Sequence, residues 1–153
     1  MSKDSRLSGV LHALLHMAEF DGPTTSETLA QAMQTNPVVV RRLMAGLRDA
    51  GFVDSAKGHG GGWVISCPLE RITLADIHRA LGAPRLLAIS HRDENPRCLV
   101  EQAVNGALGD AFVQAQALLL KRFESVTLAD LSADFHRRMV GVRNASKAVS
   151  HDA

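Results

Sequence analysis

Apolar residues at Leu7, Val10, Leu11, Leu14, Met17 and Ala18 recur at helical spacing until Asp21-Gly22-Pro23 breaks the pattern, which predicts an amphipathic helix near residues 5–20. Ser26 can cap a short second helix over Glu27 to Met33. A third helix is predicted from Asn36-Pro37 to Ala50, closed by Gly51. Asn suits the N-cap, and Pro suits the first helical position, where its missing N–H costs nothing. Phe52-Val53-Asp54-Ser55 and Trp63-Val64-Ile65-Ser66 read as strands, and the glycines at 58, 60, 61 and 62 allow a hairpin between them. After Pro68, Thr73 caps a short helix over Leu74 to Leu81, ended by Gly82 and Pro84.

This order predicts a mainly α fold with a small β-hairpin, in which a winged helix-turn-helix domain occupies residues 1–82. A linker without clear period follows over 83–94. Asn95-Pro96 repeats the cap grammar and opens a long helix to about Phe123, with Val100, Val104, Ala107, Leu108, Ala111, Ala115 and Leu118 on one side. That stripe needs a cover. A second copy in a homodimer is the expected one, and packing on the chain's own domain is the open alternative.

Val126-Thr127-Leu128-Ala129-Asp130-Leu131 echoes Ile72-Thr73-Leu74-Ala75-Asp76-Ile77, as two Thr-capped helix starts would without any domain repeat. The long helix and this short following helix fill residues 95–135. From His136 the chain carries Arg137, Arg138, Arg143 and Lys147 against the single acid Asp152. Residues 136–153 are therefore expected to be a frayed basic tail able to touch acidic partners.

A chain of 153 residues, nearly half hydrophobic, suits one compact domain with an oligomerisation arm rather than a two-domain enzyme. With a formal net charge of only +1, attraction for nucleic acid must come from local clusters. No apolar run approaches the roughly 20 residues that cross a bilayer, and the start lacks a secretory hydrophobic region, so a cytoplasmic protein without a membrane partner is expected. The two cysteines, Cys67 and Cys98, form neither a disulfide framework nor a zinc motif. Burial is the expected state of Cys67.

The third helix carries the local charge. At about 100° per residue, Val39, Val40, Leu43, Leu47 and Ala50 fall on one face and Val38, Arg41, Arg42, Ala45 and Arg48 on the other. A basic face alone is often only solvated. Preceded by a short capped helix and followed by a glycine hairpin with Lys57 and His59 at its tip, it reads as a recognition helix with a wing. Arginine suits guanine edges or phosphate, Val38 a thymine methyl, and Lys57 the minor groove. Ser26, Asn36, Val38, Arg41, Arg42, Arg48, Lys57, Gly58 and His59 are the candidate contacts to a double-stranded operator.

Taken together, these residues resemble the Rrf-two family of bacterial winged-helix regulators, over most of the chain. The resemblance rests on Arg6-Leu7, Leu29-Ala30, Asn36-Pro37-Val38-Val39-Val40-Arg41-Arg42-Leu43 and Leu47-Arg48-Asp49-Ala50-Gly51-Phe52-Val53. It rests further on Lys57-Gly58-His59-Gly60-Gly61-Gly62-Trp63 and Ile72-Thr73-Leu74-Ala75-Asp76-Ile77. It implies a homodimeric regulator on a palindromic operator, with the long helix as dimer arm and Lys57 where members often have Arg.

Cluster-binding members carry three cysteines between the domain and the long helix. Here Cys98 remains, with Arg92 and Leu86 at the earlier places, so the resemblance is to a cluster-free subgroup and no cofactor is expected. Glu101 and His12 lie where some members supply a non-cysteine ligand; one thiol with those two is a poor site.

With Asn95 as cap, Cys98 would be the third residue of the long helix, where the dipole favours a thiolate and Arg97 is adjacent. It reads equally as a redox sensor or as a small hydrophobe. His12 and His16 have a metal-compatible spacing, but two ligands do not complete a site, so no metal is expected. A dimeric transcriptional regulator, acting as a repressor, is the expected function, with an unknown effector and a possible thiol-redox response through Cys98. The alternatives are an interaction module on the same fold without DNA binding and an iron–sulfur regulator with atypical ligands. An enzyme using Cys98 with His91 as base is not expected, because no activated triad spacing or phosphate loop is visible.

Overall fold

A computed structural model describes residues 5–87, 91–92 and 95–149 of the chain. Helix α1 (Arg6–Glu19) buries Val10, Ala13, Leu14 and Met17 along one face. Helix α2 (Ser26–Met33) is capped one residue earlier than expected, by Thr25, whose Oγ1 accepts from the Thr28 N–H at 3.2 Å. Helix α3 (Pro37–Asp49) begins as the cap grammar requires: Asn36 Oδ1 accepts from the Val39 N–H at 3.1 Å, and Pro37 occupies the first turn.

The core side of α3 is Val40, Met44 and Leu47, with Val39 and Leu43 half-buried and Ala50 exposed. Met44 thus takes a central place that the expected apolar face omitted. Gly46, two residues on, lets α3 approach the next helix closely: a Cβ there would stand 2.9 Å from the Ala80 carbonyl oxygen.

Strands β1 (Val53–Ala56) and β2 (Gly62–Ile65) pair antiparallel, with Val53 opposite Ile65 and Ala56 opposite Gly62. Thr24, just before α2, adds an antiparallel bridge to Trp63, so the hairpin is stitched to the start of the helix-turn-helix. A 3-10 turn at Leu69–Arg71 leads to α4 (Leu74–Ala80). Side chains from α1, α2, α3, β1, β2 and α4 close one apolar core, completing a winged helix-turn-helix.

Helix α5 spans Leu99–Ser125, and its N-cap is Cys98. The start falls after Asn95-Pro96, because those residues turn over the helix end instead of entering it: Gln102 Nε2 donates to the Pro96 carbonyl at 3.0 Å. Asparagine-proline suits a turn as well as a helix start. In the expected linker, His78 Nε2 bonds the Pro84 carbonyl oxygen at 2.8 Å, and the His91 ring lies 6.4 Å from that of Phe112 on α5. Residues 88–90 and 93–94 of that linker lie outside the described ones.

Helix α6 runs from Leu128 to Val149, so most of the expected frayed tail is helix, with only residues 150–153 outside the description. Pairs one turn apart support it: Asp134 meets Arg137 at 3.3 Å and Arg138 at 2.8 Å. Its start is pinned to α4. Thr73 and Thr127 form an antiparallel bridge, Leu74 N–H donates to the Val126 carbonyl at 2.9 Å, and Leu128 N–H donates to that of Ile72 at 2.8 Å. Leu128 is fully buried. The echoing segments are therefore paired helix starts, each with the same reciprocal Thr–Asp cap.

Those caps make stability acid-sensitive. Burial works to raise the Asp76 pKa, but the hydrogen bonds from Thr73 and the Arg79 contact outweigh it and hold the carboxyl below its ordinary value. Backbone and hydroxyl bonds from Thr127 lower Asp130 likewise. A lowered folded-state pKa gives stability that is complete above the unfolded value and lost as pH falls through the folded one. The urea midpoint is expected to drop below about pH 4, with a shallower acid limb in Asp76→Asn. An unchanged acid limb in that variant would refute the assignment.

Candidate nucleic-acid interface

The outward face of α3 begins with Val38, 61% exposed in the first turn, followed by exposed Arg41 and Arg42. Arg41 Nη2 lies 3.0 Å from Glu27 Oε1 on α2, an exposed ion pair that contributes at most about 1 kcal/mol. A phosphate can displace it cheaply. Asn36 spends its side-chain oxygen on the helix cap. The first-turn N–H groups of α3 add a positive dipole end beside these side chains.

Lys57, Gly58 and His59 form an exposed tip, and the Gly61 N–H to Gly58 carbonyl bond at 3.0 Å closes the turn. At its root, Gly62 is irreplaceable on steric grounds: a Cβ would stand 2.5 Å from the Thr24 carbonyl oxygen. Trp63 is buried next to it, and its Nε1–H donates to Ser26 Oγ at 3.0 Å.

Two of the expected contacts are engaged within the protein. Ser26 is turned inward, 8% exposed, with its hydroxyl accepting from the indole. Arg48 is exposed, but its guanidinium lies over the Trp63 ring at 5.9 Å from the centroid, at the root of the wing. Asn36, Val38, Arg41, Arg42, Arg48, Lys57, Gly58 and His59 are all exposed. Nothing in the local pattern announces the Trp63–Ser26 bond, whose partners are 37 positions apart.

The α5 stripe is exposed throughout: Val100, Val104, Ala107, Leu108, Ala111, Ala115 and Leu118 all face outward. A neighbouring face, with Phe112, Leu119 and Phe123, is half-buried, and Phe123 meets His78 of α4 edge-on. The chain's own domain thus covers a different side of α5.

Cys98 is exposed, and as the N-cap itself it does not occupy the third helical position expected of it; its side chain makes no capping bond. Cys67 is half-buried against the core and lines a cavity with Met17, Phe20 and Val64. His12 and His16 touch through their Nε2 atoms at 2.8 Å, and His136 Nε2 meets Glu19 Oε1 at 2.9 Å. Even so, no group of three or more His, Cys, Asp or Glu among the described residues comes together to hold a metal. No helix among the described residues is long and apolar enough to cross a membrane.

Known proteins share this arrangement. YwnA of Bacillus subtilis, named as an HTH-type transcriptional regulator, is 32% identical over 128 residues, covering 84% of this chain and 95% of YwnA. The solved structure of CymR, the global cysteine regulator of B. subtilis, superimposes with a TM-score of 0.60 at 27% identity, covering 87% of this chain and 98% of CymR. A solved protein of Lactobacillus plantarum shares the fold with a TM-score of 0.72 at 22% identity, over 95% of this chain and 99% of its own. Residues 3–134 match the Rrf2 family, described as iron-dependent transcriptional regulators, a class without enzymatic activity. With the winged domain, the glycine wing and the long helix all in place, the chain belongs to the Rrf2 family of transcriptional regulators.

Proposed function

We propose that the chain is a homodimeric, sequence-specific DNA-binding repressor that places α3 in the major groove of each operator half-site and the wing in the adjacent minor groove. The observation that carries this reading is the exposed apolar Val38 beside Arg41 and Arg42 in the opening turns of α3. A thymine methyl would give this solvent-facing valine an apolar partner, next to arginines suited to guanine edges or phosphate. The exposed α5 stripe supports the dimer, since two such stripes bury each other and set the spacing of the two reading heads. Cys98 is the candidate sensor of this reading: its thiol is open to solvent at the end of α5 nearest the linker.

The test is a titration of duplex from the protein's own upstream region across salt concentrations. Binding is expected to weaken steeply with salt, and Arg42→Ala to lower affinity about tenfold and the salt slope by about 1. Absence of salt-dependent binding would sink the proposal. Repeating the titration after mild peroxide with wild type and Cys98→Ser tests the sensor, and equal responses would remove Cys98 from it.

A further inference from the structure

We propose that Trp63 is a positioning residue for DNA binding, a latch that seats the wing against α2 and α3 so that wing and recognition helix engage the duplex as one surface. This rests on the DNA-binding reading above.

A hairpin of two four-residue strands does not hold its own orientation in water, so the angle of this wing has to be set at its root. Trp63 supplies that root from its backbone, its ring edge and its ring face. Its backbone exchanges two hydrogen bonds with Thr24, at 2.9 and 2.8 Å, which fasten β2 to the residues just before α2. Val53 of β1, buried in the core, holds the other strand at the same root.

The indole adds a directional tie. Its N–H donates to Ser26 Oγ at 3.0 Å, with both residues 8% exposed, so little water competes for a directional bond. Ser26 is the first residue of α2, which ties the hairpin to the helix-turn-helix. On the ring face, the Arg48 guanidinium from the last turn of α3 sits 5.9 Å from the centroid. Ser26 and Arg48 thus serve the interface through Trp63. Lys57 at the tip is presented in register with Arg41 and Arg42 only while the latch is closed.

Trp63 is the sole tryptophan of the chain, so its indole N–H gives one assignable resonance. In the full-length wild type that proton is expected to be protected from exchange, and in Ser26→Ala to lose protection. Ser26→Ala is expected to weaken duplex binding about tenfold. Lys57→Ala is expected to cost about tenfold in the wild type and less than about twofold in the Ser26→Ala background, whereas Arg42→Ala costs the same in both. A role in general stability would lower all affinities together without erasing the Lys57 effect. Trp63→Phe, which keeps a ring under Arg48 but has no N–H, provides the same comparison if Ser26→Ala folds poorly. An undiminished Lys57 effect in these variants, or an unprotected indole N–H in the wild type, overturns the latch. A wild type that binds no duplex overturns the DNA-binding reading and Trp63's role in it together; binding with the Lys57 effect undiminished overturns the latch alone.

Discussion

Glutamate at both Val104 and Leu108 is expected to give a folded monomer whose operator affinity is about 10²–10⁴ lower, the factor that linking two half-site contacts supplies. The two side chains are 48% and 44% exposed, so carboxylates there remain hydrated in the isolated chain and cost its fold little. In a dimer that buries the stripe, the same carboxylates are stripped of water with no cation set opposite them. Sedimentation and thermal unfolding distinguish the outcomes. A double variant that stays dimeric would show that α5 is not the interface, and one that unfolds would show that the stripe is needed within the monomer.

Gly62→Ala is expected to destabilise the chain by about 2–4 kcal/mol and to abolish the wing's share of DNA affinity. The added methyl would stand 2.5 Å from the Thr24 carbonyl oxygen, 2.6 Å from its carbon and 3.0 Å from the Thr25 nitrogen. All are backbone atoms, so no rotamer relieves the clash. Relief requires opening the Thr24–Trp63 bridge, with two backbone hydrogen bonds lost. Gly58→Ala is the control: at φ +95 it is conformationally strained, but its Cβ meets nothing within 4 Å, so a cost of about 1 kcal/mol is expected. Urea denaturation of the two variants measures the difference. Equal stability of Gly62→Ala and wild type would refute the steric account.

How far each feature was legible depends on the range of the interaction behind it. The Asn36 and Thr73 caps are contacts over three residues, and residue type and spacing suffice to place them. The start of α5 differs from the expected one because Asn95-Pro96 satisfies two local grammars, and the chain takes the turn, closed by the Gln102 bond to the Pro96 carbonyl. Helix α6 runs past the expected end near residue 135 although its apolar content is sparse; the Thr127–Asp130 cap and the docking of Leu128 fix its start, and the Asp134 pairs support its middle.

For the wing and recognition helix, the order of elements, the outward row of Val38, Arg41 and Arg42 and the glycine tip follow from the sequence by itself, because helical and strand periods assign side chains to faces. Family membership was legible from the motifs that carry the resemblance, chief among them the glycine run before Trp63. Only the tertiary structure decided which of the polar residues face solvent and which serve the protein. Ser26 turns inward to Trp63, Arg48 lies over its ring and Arg41 pairs with Glu27, all contacts between elements that no local period specifies. A hydrogen bond between residues 37 positions apart exists only once the chain has brought α2 and the wing together.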